Sequence, residues 1–336
     1  MDIEARKSQH LDICLDDDVA SRLDAGFGAI RLRHEALPEF ALADVESSTT
    51  FLGFALRAPL VISSMTGGTA RAKDINRRLA AAAERAGIAI GLGSGRAMLE
   101  DPTLRETYDV RDVAPHALVF ANLGAVQLNY GCTLDDVRRL MDMQRADALY
   151  LHLNPLQEAL QPSGDTNFHD LLPKIADVCA QLDVPVILKG VGSGISARTA
   201  ARLVDVGVAA IDIAGAGGTS WALVEGRRAD DTARERIAET FGAWGYATAH
   251  ATRAIRAALP DVALVASGGI RSGVDCAKAL ALGANLCGIA LPFLTAANES
   301  EAATHTLADE LIRGLRIAQF ASGSRTLADL PSALEG

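Results

Sequence analysis

Residues 186–219 read VILKGVGSGISARTAARLVDVGVAAIDIAGAGGT. An apolar run, 186–188, ends in Lys189-Gly190, and a segment with helical spacing, 196–206, follows it. A second apolar run, 210–214, then ends in Gly215-Ala216-Gly217-Gly218-Thr219. Neither run alternates apolar with polar residues, so each reads as a strand covered on both faces. Strand, helix and strand in this order belong to a parallel sheet. Both strands hand over to glycine and polar residues at their carboxyl ends.

Outward from this stretch the same unit recurs. Further apolar runs lie at 60–65, 88–92, 118–123, 149–153, 263–266 and 286–291. Segments with helical spacing separate them at 74–86, 134–143, 168–182, 246–259 and 273–282, and 103–109 is a weaker helix. Eight such units predict an α/β fold, a closed (β/α)8 TIM barrel over residues 58–322, with a doubly wound open sheet as the alternative. Residues 1–57 form an N-terminal extension, expected to act as a lid packed on the barrel mouth. Residues 221–245 form a long polar loop after strand 6, open to reading as lid, surface decoration or oligomer contact. Residues 323–336 form a C-terminal tail that reads as loosely ordered.

Composition narrows the function. The 336 residues are 49% apolar and can bury a large core. A net charge of −10 leaves no basic stripe to displace counterions, so no nucleic-acid partner is expected. No apolar run reaches membrane-spanning length, so no membrane partner is expected either. The five cysteines are scattered without a CxxC pair and read as reduced thiols. The amino-terminal MDIEARKSQH carries no apolar signal region, and together these features point to the cytoplasm.

In a parallel barrel all strands end at one mouth, where ligands bind. The first strand ends in Ser64-Met65-Thr66-Gly67-Gly68, the second in Gly93-Ser94-Gly95-Arg96 and the third in Asn122-Leu123-Gly124. The fourth brings His152, Asn154, Gln157 and Glu158, the last a candidate metal ligand. The seventh ends in Ser267-Gly268-Gly269-Ile270-Arg271 and the eighth in Ala290-Leu291-Pro292. Glycines ahead of a helix let backbone N–H groups approach a phosphate, although each glycine pair alone also suits an ordinary turn. Lys189 closes an apolar strand and needs an anionic partner. That partner is either a nearby carboxylate such as Asp212 or a cofactor that becomes anionic in use. A phosphate site after strands seven and eight, with a lysine on strand five, fits flavin mononucleotide. Arg6, Lys7 and His10 form a basic triplet that is either a solvated patch on a frayed end or a grip on an anionic substrate.

These residues together resemble the type 2, FMN-dependent isopentenyl diphosphate isomerases. The motifs are Arg6-Lys7-x-x-His10, Met65-Thr66-Gly67-Gly68, Gly93-Ser94-x-Arg96, Asn122-Leu123-Gly124, His152-x-Asn154-x-x-Gln157-Glu158, Lys189-Gly190-Val191-Gly192, Gly215-x-Gly217-Gly218-Thr219-Ser220-Trp221 and Gly268-Gly269-Ile270-Arg271. They run in family order from about residue 6 to 320. The resemblance implies an isomerase of isoprenoid biosynthesis that interconverts isopentenyl and dimethylallyl diphosphate. Its FMN would touch Ser64, Met65, Thr66, Ser94, Asn122, Lys189 and Thr219. Gly268, Gly269, Arg271, Ala290 and Leu291 would hold the FMN phosphate end. The diphosphate substrate would meet Arg6, Lys7, His10, Ser94, Arg96, Asn154 and Gln157. Glu158 would help bind Mg²⁺, NADPH would reduce the flavin initially, and the assembly would be a homotetramer or homo-octamer.

Moving the double bond requires a proton added at one carbon and removed two carbons away. Gln157, His152 and Lys189 are the side chains placed at that chemistry. Gln157 is neutral and does not qualify unaided. His152 could act as the acid or equally as an orienting hydrogen-bond donor. The reduced flavin is expected to relay the protons, with Lys189 stabilising the anionic ring. One departure stands out: the family usually has Gln where this chain has Gly95, which would remove a carboxamide from the substrate side. Two other functions compete. An FMN-dependent 2-hydroxy acid oxidase would carry a His and an Arg where this chain has Ala216 and Thr219. A non-catalytic FMN-binding module is favoured by Gly95 alone.

Overall fold

The computed structural model describes residues 3–229 and 231–335. Its centre is a set of parallel strands: β1 (Leu60–Ile62), β2 (Ala89–Gly91), β3 (Val119–Gly124), β4 (Ala148–His152), β5 (Val186–Lys189), β6 (Ala210–Asp212), β7 (Ala263–Ser267) and β8 (Leu286–Ile289). Each strand pairs with its neighbour in the chain, and β8 pairs with β1, so the sheet closes into an eight-stranded barrel. Helices cover it outside. Helix Ala70–Ala86 is typical: the Thr69 hydroxyl accepts from Ala72 N, Gly87 ends it in the left-handed conformation, and Ile75, Leu79, Ala80 and Ala83 are buried. Burying a side chain such as Leu79 contributes about 2 kcal/mol.

The barrel interior changes character in one step of two residues. Val61, Phe120, Tyr150, Ile187, Ala210, Val265 and Leu286 belong to one apolar cluster. Side chains alternate with period two along a strand. Two positions on lie Ser63, Asn122, His152, Lys189, Asp212, Ser267 and Gly288. The register aligns Gly124 with His152, His152 with Lys189, and Lys189 with Asp212. The sequence pattern thus places a polar layer directly above a dry core.

The extension divides between the two ends of the barrel. Helix Ile3–Asp16 and residues 19–21 lie at the mouth, where Ala20 bridges Thr219 and Ser21 N donates to Gly218 O at 2.7 Å. The hairpin Thr49–Phe51 and Phe54–Leu56 instead sends Phe51 and Leu56 into the interior apolar cluster. The connection after β6 folds into two helices, Trp221–Arg227 and Thr232–Thr240. The first buries Ala222, Leu223, Val224 and Glu225 against helix Pro155–Leu160 and the N-terminal helix, so it is not surface decoration.

The C-terminal tail is not loose. Leu330 and Ala333 are buried, and Leu334–Glu335 pairs antiparallel with Arg31–Leu32. Its order comes from a partner strand at the far end of the chain, which no local signal announces. No helix among the described residues is long and apolar enough to cross a membrane.

Candidate active site at the barrel mouth

A single cavity at the carboxyl ends of the strands collects the polar strand tips. From the barrel it is lined by Ser64, Met65, Thr66, Ser94, Asn122, His152, Lys189 and Thr219, then by Gly268, Gly269, Arg271, Ala290 and Leu291. From above it is lined by Arg6, Lys7, His10, Arg96, Asn154, Gln157 and Glu158. Every candidate site residue from the sequence therefore faces the same space.

The floor is built by β3 to β7. Lys189 Nζ donates to Gly190 O at 3.2 Å and lies 3.8 Å from Asp212 Oδ2. The lysine–aspartate pair thus exists, but at ion-pair rather than hydrogen-bond distance. An ammonium has three donors, so Lys189 keeps capacity for a further acceptor. Asp212 also accepts from Ser267 Oγ. His152 Nδ1 lies 2.7 Å from Asn122 Oδ1. Burial, reinforced by the Lys189 charge, pushes the His152 pKa down to about 4. The imidazole is therefore neutral near pH 7, donating from Nδ1 to Asn122 and leaving Nε2 as an acceptor. The Ser64 hydroxyl is buried with no hydrogen-bond partner among the described residues.

Beside the floor, glycines form a cradle. Gly268 has φ +102°, and a Cβ there would lie 2.1 Å from Gly215 O. A Cβ on Gly218 would lie 2.8 Å from Gly269 N. Helix Leu291–Glu299 starts at Ala290, where no side chain caps it. Its first N–H groups are thus left to a ligand, and the helix dipole favours an anion there. A floor ammonium, an unpartnered hydroxyl and an uncapped helix beside a glycine cradle fit FMN: the floor residues would hold its ring and the cradle its phosphate.

The upper wall is held by side-chain contacts. Glu225 is the centre of one set: it accepts from Gln157 Nε2 at 2.9 Å, pairs with His10 Nε2 at 3.1 Å, and binds Arg228. His10 meets Trp221 edge to face, with ring centroids 5.1 Å apart. Burial alone would raise the Glu225 pKa, but the bonds from His10 and Gln157 and the Arg228 charge hold it below the usual carboxylate range. The sequence reading missed Glu225. Its signal was available: it stands four residues after Trp221 on a helix whose first turn is apolar, so both share one face.

Glu158 is the centre of a second set. Its Oε1 accepts from Asn154 Nδ2 at 2.8 Å, and its Oε2 accepts from Asp165 N at 2.7 Å and from Gln161. Asp165, also missed, pairs with Arg96 at 2.5 Å and accepts from Gln127 Nε2 at 2.8 Å. Among the described residues no group of three or more His, Cys, Asp or Glu could hold a metal ion. A Mg²⁺ here would have Glu158 as a lone carboxylate and take its other oxygens from water and phosphate, as that ion prefers. Asn154 Oδ1, buried and without a partner among the described residues, fits beside it.

Gly95 requires a correction. A Cβ at this position would lie 2.3 Å from Leu140 Cδ1 and 3.1 Å from Gln144 Nε2, on the outer helix Leu134–Gln144. A side chain at 95 therefore starts toward the outer helical layer, not toward the substrate. The feature that favoured a non-catalytic module does not open the mouth.

The fold and cavity define a class, and comparison with known proteins agrees with it: residues 134–335 match the family model of the FMN-dependent dehydrogenases. Solved structures of mandelate oxidase (TM-score 0.67, 19% identity, 96% of this chain and 94% of that one) and flavocytochrome b2 (0.72, 17%, 97% and 82%) share the fold. Much nearer in sequence are three proteins named isopentenyl-diphosphate delta-isomerase. The one from Synechococcus sp. is 52% identical over 97% of this chain and 94% of its own length. Those from Nostoc sp. and Rickettsia bellii are 50% identical (97% and 94%) and 48% identical (98% and 96%). The chain belongs to the isopentenyl-diphosphate delta-isomerase family.

Proposed function

We propose that this enzyme interconverts isopentenyl diphosphate and dimethylallyl diphosphate, without net redox change, in isoprenoid biosynthesis. The observation that carries the reading is a shared cavity: a floor and cradle suited to FMN line the same space as Arg6, Lys7 and Arg96, cations suited to a diphosphate. Neither the 2-hydroxy acid oxidase nor a bare FMN carrier accounts for both sets of residues. Ala216 and Thr219 also stand where the oxidase would need a base and a carboxylate clamp.

Arg6, Lys7 and Arg96 hold the diphosphate in this reading, and Glu158 with Asn154 presents oxygens to a Mg²⁺ shared with it. Neutral His152 cannot protonate an alkene, a very weak base; it orients by accepting at Nε2. Gln157 is uncharged, and one of its two amide N–H groups is committed to Glu225, so its role is also to orient. Reduced FMN, when bound, supplies the proton-transferring group that these side chains lack. Lys189 would supply positive charge to stabilise its anionic form. His10 and Trp221 line the cavity and brace each other edge to face. NADPH as initial reductant, a homotetrameric or homo-octameric assembly and a cytoplasmic location complete the proposal.

The test is an anaerobic assay of the yellow holoenzyme with isopentenyl diphosphate, Mg²⁺ and NADPH in deuterated water. Dimethylallyl diphosphate carrying deuterium is the expected product. A yellow protein that forms none, or one that oxidises lactate instead, overturns the reading.

A further inference from the structure

Tyr108 lies outside every motif and does not line the cavity, yet it touches the residue placed to meet the substrate. It comes from the connection between β2 and β3 and is fully buried. Its ring packs on Gly67, where a Cβ would lie 2.0 Å from the ring. Its hydroxyl donates to Ser94 O at 2.8 Å and accepts from Lys7 Nζ at 2.5 Å. Lys7 Nζ also donates to Ser94 O at 3.0 Å and sits 5.1 Å from the ring centroid. The seat itself is braced: Gly68 N donates to Thr107 Oγ1 at 2.8 Å, and Asn76 Nδ2 donates to both Thr66 O and Thr107 O. The loops after β1 and β2 and the N-terminal helix therefore meet at one phenol.

We propose that Tyr108 is a positioning residue for substrate binding: its hydroxyl fixes the Lys7 ammonium at the cavity rim and thereby docks the N-terminal helix. The inference rests on the diphosphate reading of the cavity. A ring serving only as core filler would need no more than its bond to Ser94 O. Burial raises the phenol pKa, so the hydroxyl keeps its proton and accepts from Lys7 rather than pairing with it as an anion. Burial, then the Arg6 charge, pushes the Lys7 pKa down to about 7, while Glu100 opposes the shift. Arg6 on its own helix and Glu100 on helix Arg96–Glu100 are the charges that act on Lys7, and Tyr108 is the titratable group in contact. In the free enzyme Lys7 thus loses its proton near neutrality, and a bound diphosphate restores it. Anion affinity falls as pH rises through 7. Removing the phenol oxygen takes an acceptor from the ammonium, lowers the Lys7 pKa further, and moves that fall to lower pH.

Tyr108→Phe keeps the ring and deletes only the oxygen. In the FMN-loaded enzyme, calorimetry with inorganic pyrophosphate and Mg²⁺ should show affinity about ten-fold weaker at pH 7, the loss expected for one charge-assisted hydrogen bond. The alkaline fall should move to lower pH, and KM for isopentenyl diphosphate should rise more than kcat falls. Lys7→Met should weaken pyrophosphate at least as much, and adding Tyr108→Phe to it should cost less than about two-fold more. Unchanged affinity and an unmoved pH limb in Tyr108→Phe, or full additivity in the double variant, overturn the proposal. If Tyr108→Phe does not fold, Lys7→Met decides: wild-type pyrophosphate affinity overturns it. A wild-type enzyme that binds pyrophosphate in this pattern but makes no dimethylallyl diphosphate removes the proposed activity and leaves the role of Tyr108 standing.

Discussion

The floor of the cavity and its upper wall are built in different ways. Asn122, His152 and Lys189 stand on barrel strands, and the ladder fixes their spacing through the pairs Gly124 with His152 and His152 with Lys189. Arg6, Lys7 and His10 come from the N-terminal helix, Glu225 from the helix after β6, and Tyr108 from the β2–β3 connection. These share no ladder. Side-chain bonds hold them together: Lys7 to Tyr108, and His10 and Gln157 to Glu225. A ladder cannot loosen without opening the barrel, whereas docked side chains can part locally. The first construction suits a cofactor that stays, the second a substrate that must enter and leave. The two halves should therefore fail separately.

Gly268→Ala attacks the floor side and should have the largest effect. The left-handed φ already costs a non-glycine residue about 1–2 kcal/mol. The new Cβ would also lie 2.1 Å from Gly215 O, a backbone atom that cannot rotate aside. The cradle must then open. Flavin retention after dialysis, read from visible absorbance, should fall about 100-fold or more, a loss of some 3 kcal/mol or greater. Full retention in a folded protein would mean that this glycine is not part of a phosphate cradle.

Glu225→Gln attacks the upper wall and should come next. It removes the charge to which His10 and Arg228 are paired, inside a closed set of contacts. Removing one partner of a buried charged hydrogen-bond set costs about 2–3 kcal/mol, so kcat/KM should fall about 30- to 100-fold. Flavin occupancy should stay at the wild-type level. Parallel loss of flavin and turnover would show that the two halves are one unit and break the comparison.

The same division governs what could be read from the sequence. A strand end announces itself: an apolar run stops at Lys189-Gly190 or Asn122-Leu123-Gly124, and the barrel carries each tip to the mouth. Local pattern and topology suffice there. Glu225 gave no such mark, because it lies in a stretch crowded with charge, Glu225 to Glu239, where one buried carboxylate looks like its solvated neighbours. Only the turn Trp221-Ala222-Leu223-Val224 before it signals a covered face. Tyr108 was hidden differently. It follows a 3-10 helix, Pro102–Thr107, that reads as a weak helix, and its partner Lys7 lies about a hundred positions away. Pairings of that span depend on how pieces dock, and no periodicity encodes docking. The C-terminal strand Leu334–Glu335 escaped notice for the same reason.

Gly95 tests the boundary between the two halves with the smallest expected effect. It stands between Ser94 and Arg96, both on the cavity, where the family usually has Gln, and so looked like a vacancy in the substrate wall. Its Cβ direction leads instead to Leu140 Cδ1 at 2.3 Å. That atom is the tip of a side chain and can turn aside, so Gly95→Ala should cost about 1–2 kcal/mol of stability, the usual scale of mild overpacking. Chemical denaturation of the holoenzyme would measure it. KM and kcat should remain at wild-type values, because the strain is taken up by helix Leu134–Gln144 on the side away from the cavity. Relieving Leu140 should then restore stability, so Gly95→Ala with Leu140→Val should be less destabilised than the two single changes predict together. A change in KM without a change in stability would point position 95 back at the substrate, and the sequence reading of that residue would be the correct one.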